Sequence, residues 1–198
     1  MSWMFYGCNS LKKLDLSSFD TSQVTAMISM FCQCHSLTSL NLGNNFTTSN
    51  VMNMSFMFSN TSLPILDLRK FNTKKVKNMQ YMFYLCSKLK SVDVSSFDTS
   101  QVTKMENIFS NCTSLTSLDI HNFDFTTLDR YYTSPPIMHY CKNLKFIDIS
   151  SYKNHMFIDF FKGIPTTGGK IRVSKTLMNN LLSKGIKILD GWDWETVG

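Results

Sequence analysis

The sequence predicts an α/β solenoid: a right-handed leucine-rich-repeat stack of about six coils of roughly 25–29 residues each, with a parallel β-sheet along one face and a small α/β cap at the C-terminal end. Three observations lead there. The string SSFDTSQVT stands at 17–25 and again at 95–103, so that Ser17 returns as Ser95 and Thr25 as Thr103, three periods later. A Met-Phe pair or an apolar equivalent recurs at Met4-Phe5, Met30-Phe31, Met57-Phe58, Met82-Phe83, Ile108-Phe109 and Ile137-Met138. Each period also carries two apolar residues spaced two apart. A fixed period decides an architecture before local propensity does.

Those apolar pairs define the strands. Leu14 and Leu16 point one way, and Lys13, Asp15 and Ser17 the other, because side chains alternate across a strand. The later pairs are Leu40/Leu42, Leu66/Leu68, Val92/Val94, Leu118/Ile120 and Ile147/Ile149. A Leu-x-x-Leu-x-Leu core at this period is the leucine-rich-repeat pattern. An aromatic residue follows each strand, at Phe19, Phe46, Phe71, Phe97, Phe123 and Tyr152, and reads as a spine of the core. Asp-Thr-Ser then makes a turn, since these side chains bond nearby backbone N–H groups. After it, Val24, Met27, Met30, Phe31 and Cys34 recur at three- and four-residue spacing, which suggests a short helix or helical turns on the convex side. A short strand at Val24 competes with that reading. No coil buries its own apolar face, so stability is shared between neighbours.

The string MFxxCxSLxxLDLSSFDTSxVTxM resembles the BspA-like leucine-rich-repeat surface proteins, known in mycoplasmas as a lipoprotein-associated repeat. The match covers roughly residues 1–152. The resemblance implies a cell-surface or secreted location, and adhesion to host matrix proteins or host cells. It supplies no catalytic residues.

Two parts are expected: repeats over 1–152, and a cap over 153–198. The first coil begins in mid-repeat, which suggests a piece of a longer protein. It is expected to expose Phe5, Leu14 and Leu16 and to self-associate end to end. No signal peptide opens the chain and no apolar run is long enough to span a membrane. In the cap, residues 163–169 read as a loop and 170–173 alternate as a strand. Ser174 is placed to cap a helix over 175–184 that ends at Gly185. Residues 186–189 read as a last strand, and Trp192 and Trp194 as a lid over the end of the stack. Pro135-Pro136 mark residues 131–136 as an inserted loop.

Five of six cysteines, Cys8, Cys34, Cys86, Cys112 and Cys141, share one repeat position, and Thr61 stands near it in the third coil. A column of buried thiols explains them better than disulfides. Cys32-x-Cys34-His35 lacks a second ligand pair for zinc. No nucleophile–base motif and no phosphate loop is present, so neither an enzyme nor a cofactor is expected. Four Asn-x-Ser/Thr sequons, at Asn45, Asn53, Asn60 and Asn111, are close to chance in so Asn-rich a repeat.

Two surfaces remain as candidates for binding. The outward column of the sheet reads Asp15, Asn41, Asp67, Asp93, Asp119 and Asp148, flanked by Ile65 and Phe146 where the repeat is otherwise Ser or Lys. These carboxylates either cap loops or form a recognition strip on the concave face, where solenoids commonly bind. The second surface is a basic edge of Arg69, Lys70, Lys74, Lys75 and Lys77, in a chain of net charge +6. It is either a solvated edge or a patch for an anionic surface. The expected partners are a host extracellular-matrix or surface protein, or an acidic glycan. Nucleic acid is not expected, because no nucleic-acid motif accompanies the charge. A spacer that recognises nothing is the competing role.

Overall fold

Each coil contributes one three-residue strand. The computed structural model describes residues 1–128, 137–152, 163–165, 168–183 and 191–197. The strands are β1 (Lys13–Asp15), β2 (Ser39–Asn41), β3 (Ile65–Asp67), β4 (Ser91–Asp93), β5 (Ser117–Asp119) and β6 (Phe146–Asp148), followed by β7 (Gly169–Ser174), α1 (Lys175–Ser183) and β8 (Trp192–Val197). The chain is thus a parallel β-solenoid of about six turns with one helix among the described residues. Pairing is in the register the repeat dictates: Leu14 faces Leu40, Leu66 faces Val92, and Leu118 faces Ile147.

Aromatic columns fill the interior. Phe5, Phe31, Phe58, Phe83 and Phe109 stack with centroids 5.8, 5.3, 5.8 and 5.2 Å apart. Phe46, Phe71, Phe97 and Phe123 form a second column at 6.1, 6.4 and 6.2 Å. The expectation for the first coil needs correction at Leu16, which is 0 % exposed. Half-buried Leu11, Leu14 and Phe19 of the same coil join the core around it.

The convex side is neither of the two expected elements. Alternate N–H groups are spent differently there. Those of Met27, Ser29, Phe31 and Gln33 donate to Asn53, Ser55, Met57 and Ser59 of the next coil, while those of Met30, Cys32 and Cys34 close four-residue turns within their own coil. Two residues per coil are left-handed, at Ser29, Phe56, Tyr81 and Asn107 in one column and at Gln33, Asn60, Leu85, Asn111 and Tyr140 in another. They fall at the third position of turns such as Met27–Met30 and Phe31–Cys34, where a type II turn needs positive φ. Consecutive turns of this kind bury every third or fourth residue, which is why the spacing imitates a helix. The bridges Ala26–Asn53–Asn78–Lys104 supply the strand-like part, two residues after Val24.

A left-handed leucine is costly because its Cβ crowds the following carbonyl. Leu85 has φ 59° and shares its column with Asn60 and Asn111. Leu85→Asn is therefore expected to raise stability by about 0.5–1 kcal/mol. Urea unfolding checks this, and an unchanged or lower midpoint would count against a cost at that turn.

The thiols behave as a column. Cys34, Cys86, Cys112 and Cys141 each donate to the carbonyl of Phe5, Phe58, Phe83 or Phe109, at 3.0–3.2 Å. Thr61 takes the vacant place, 3.6 Å from the Cys86 sulfur. All six cysteines are free, and burial pushes the Cys86 thiol up to about 11.

The sheet is not continuous. Pairing divides it into β1–β2, β3–β4 and β5–β6–β7–β8. β4 and β5 lie side by side without a ladder, with Cα atoms within 8 Å, but no Cα of β2 comes within 8 Å of one in β3. The cause is in the sequence. Thr38, Lys90 and Lys145 use their N–H to bond the preceding coil, to Lys12, Pro64 and Thr116. At the same place the third coil has Pro64, which has no N–H to give. That coil is also one residue short before its strand, Thr61-Ser62-Leu63 against Cys34-His35-Ser36-Leu37, and the second coil is one residue long after its own. Gly43 accommodates the extra residue with φ +72°, where a Cβ would fall 2.4 Å from the Ser17 backbone.

At the far end, Ser174 caps α1 by accepting the Leu177 N–H at 3.1 Å. Trp192 and Trp194, expected as a lid over the end of the stack, stand in the last strand of the sheet. They belong to β8, which pairs with β7 along its whole length and extends the sheet. Trp192 is buried against Gly169 and donates its indole N–H to the Pro165 carbonyl at 2.8 Å. The expected loop at 131–136, the strand at 186–189 and the Gly185 helix stop lie outside the described residues.

Candidate functional site

The acidic column is built from the coil's own needs. Every member turns its side chain back to accept the N–H two residues on. Asp15 takes Ser17 at 2.8 Å, Asn41 takes Gly43 at 3.1 Å and Asp67 takes Arg69 at 3.1 Å. Asp93, Asp119 and Asp148 take Ser95, His121 and Ser150 at 3.0, 3.1 and 3.0 Å. The column is a row of Asx turns ending the strands. Asn41 performs the same task without charge and donates to Asp15 at 3.2 Å. Hydrogen bonds from Ser17 and Ser95 hold the carboxyls of Asp15 and Asp93 below the usual carboxylate range.

What distinguishes one coil from another lies beside this column. Two residues beyond each Asp the repeat has Ser or Gly, except for Arg69 and His121. Arg69 clasps Asp67 with Nε at 2.9 Å and Nη2 at 2.6 Å, and leans to within 3.8 Å of Asp93. Its hydrogen bonds draw the Asp67 carboxyl down to about 2. His121 Nδ1 lies 2.6 Å from Asp119. The column then continues past the repeats, because β7 and β8 bring Arg172 and Glu195 into line with Asp148. Arg172 bonds Asp148 at 3.2 Å and Glu195 at 3.3 Å, and its guanidinium carbon sits 5.3 Å from the Phe146 ring centroid. Lys170 lies 3.9 Å from Glu195. The strip is therefore a row of carboxylates answered by arginine at two places, Arg69 and Arg172.

Asp119, His121 and Asp148 place donor atoms within 4.8 Å of one another. In the same group Arg172 bonds Asp148 at 3.2 Å and His121 bonds Asp119.

The five basic residues do not crowd one point. All are exposed, but they follow the arc of the third coil from the end of β3 to the bridge at Asn78. Arg69 belongs to the concave strip, while Lys70 and Lys75 are tied to Asn44 and Asn50 at 2.7 Å each. Ile65, on the strip's edge, is 65 % exposed.

Three features escaped the sequence reading. Arg172 and Glu195 were invisible because the register of β7 and β8 on the coils is not written in the repeat. The alternation Lys170-Ile171-Arg172-Val173 was their only trace. An aromatic band of Trp3, Tyr6, Phe56, Tyr81 and Tyr84 runs along the turns. Phe56 and Tyr81 stack at 4.6 Å, and Trp3 and Tyr6 meet edge-on at 5.0 Å. These positions are Ser, Cys, Asn or His in the other described coils, and that departure was the available signal. The third feature is a cleft of about 430 Å³ in the gap between β2 and β3.

A family model described as "Mycoplasma protein of unknown function, DUF285" matches residues 1–63 and 40–152. No curated protein and no solved structure matches the chain.

Proposed function

We propose a function from this premise: the chain belongs to the mycoplasma protein family DUF285, a repeat family of unknown function. The reading is a non-catalytic binding module of a cell-surface protein, acting in adhesion to a host matrix or surface protein. Acidic glycan is the other ligand class, reached through the lysines of the third coil. One observation carries the reading. Arg69, His121 and Phe146, which break the repeat along the strand ends, fall on one strip with Arg172 of β7, and the two arginines there are held by Asp67 and Asp148. Such a strip suits a protein surface of matching charge, and arginine over an aromatic ring is the type of group that dominates such contacts. No helix among the described residues is long and apolar enough to cross a membrane.

A spacer role has its own support. All six members of the acidic column are used within their own coils, so the column needs no ligand to account for it. Binding of the purified chain to an array of matrix proteins and acidic glycans, over a salt series, separates the readings. Saturable protein binding is expected, weakened by salt and reduced about tenfold by Arg69→Ala with Arg172→Ala. A loss seen only with Lys74→Ala and Lys75→Ala would transfer the site to the basic edge. No saturable binding by a folded chain would leave the spacer.

A further inference from the structure

We infer that the gap between β2 and β3 is a docking slot for an extended segment of a partner protein, which enters as an additional strand. Facing backbone edges argue for it first. The N–H and C=O groups that β1 and β2, β3 and β4, and β5 and β6 spend on each other form no ladder between β2 and β3, and Pro64 has no N–H with which to begin one. An exposed pair of strand edges is a template for a third.

Spacing argues for it second. Paired strands lie about 4.8 Å apart, so one strand inserted between two needs about 9.6 Å. The Cα atoms of β2 and β3 are more than 8 Å apart, whereas the unpaired β4 and β5 approach within that distance and leave no such room. The cleft's volume falls in the range of ligand pockets.

The lining argues for it third. Leu68, Val94, Ile120 and Ile149 are at most 2 % exposed, but their counterpart Leu42, beside the gap, is only half-buried. Leu40 is likewise half-buried, and Ile65 is exposed at the mouth. An incoming strand would turn one apolar side chain inward to cover Leu40 and Leu42, and present its neighbours between Ser39 and Ile65 and between Asn41 and Asp67.

The occupant is a free segment rather than a second folded copy. The bridges Ala26–Asn53 and Asn53–Asn78 keep these coils joined on the convex side, so the opening is a slot closed at its back. A single extended chain fits such a slot, and a strand already built into a closed coil does not. The segment has the chemistry of the chain's own strands: an apolar residue between polar ones, with no proline at its centre.

The test uses a fluorescein-labelled synthetic peptide with the sequence of residues 89–96, LKSVDVSS, titrated with the whole chain and followed by anisotropy. Saturable binding below about 1 mM is expected. N-methylation of two central amides, which blocks strand pairing, is expected to abolish it. Ile65→Asp, at an exposed position, is expected to weaken it about tenfold with an unchanged melting temperature. Equal binding of the N-methylated peptide overturns the inference, as does indifference to Ile65→Asp, which would place the peptide on an outer strand edge. No saturation, or concentration-dependent association of the chain that excludes the peptide, overturns it as well. The titration contains no matrix protein or glycan, so its outcome stands apart from that of the array.

Discussion

Phe83→Ala is expected to destabilise the chain by about 3–5 kcal/mol. The ring is 0 % exposed. It lies between Phe58, 5.8 Å away and 2° from parallel, and Phe109, 5.2 Å away and 5° from parallel. Truncation removes buried apolar surface and leaves a cavity that two flat neighbours cannot collapse to fill. The coil's backbone is bonded above and below, so relaxation along the stack is opposed too. Phe5→Ala provides the comparison. Phe5 is half-buried and stacks on one neighbour, Phe31 at 5.8 Å. Its loss is expected to cost about 1–2 kcal/mol. Urea unfolding followed by circular dichroism measures both. A smaller m-value for Phe83→Ala would add that the two halves of the stack have begun to unfold separately. Equal losses at the two positions would sink the idea that stability passes from coil to coil through this column.

Thr73→Val is expected to cost about 2–4 kcal/mol, with almost no change of shape. Thr73 is 1 % exposed. Its hydroxyl donates to the Asp98 carbonyl at 2.9 Å and accepts the Asp98 N–H at 2.8 Å. Thr21, Thr48 and Thr99 do the same for residues 47, 72 and 124. Each hydroxyl satisfies two backbone groups of the next coil at a corner where neither finds a backbone partner. Valine leaves both unsatisfied, and the penalty for a buried, unbonded group exceeds the net gain of an ordinary hydrogen bond. Thr73→Ser keeps the hydroxyl and loses only a methyl, so it should retain most of the stability. The same unfolding assay tests both variants, and a serine variant as weak as the valine one would show that packing, not bonding, fixes the threonine.

Much of this architecture was legible because the chain repeats its instructions. The strand register, the aromatic spine and the thiol column follow from positions that recur once in every coil, and one alignment reads them all. The convex segment was misleading for a physical reason. Burial at every third or fourth residue is the mark of a helix, but a run of alternating turns with left-handed residues at Ser29 and Gln33 produces the same spacing. Only the destination of each N–H tells them apart, and that is a property of the neighbouring coil. The gap beside Pro64 was hinted at by a proline inside a strand signal, yet its size depends on an insertion and a deletion acting together. The far end of the charged strip could not be read, because Arg172 and Glu195 reach it through the pairing of β7 and β8 onto β6 and not by sequence position.

The strand-end turns have a consequence for how such a chain can change over generations. Their side chains look outward but answer to their own coil, so the Asp or Asn at each of these six places is fixed by the frame. The letters beside them, at Ile65, Arg69, His121 and Phe146, are not needed to close the strand-end turns, which other coils make with Ser, Gly or Lys in those places, and can be rewritten one at a time. A lineage can therefore present a new face to its surroundings while the scaffold beneath stays as it was, with framework and variable text interleaved along the same short strands.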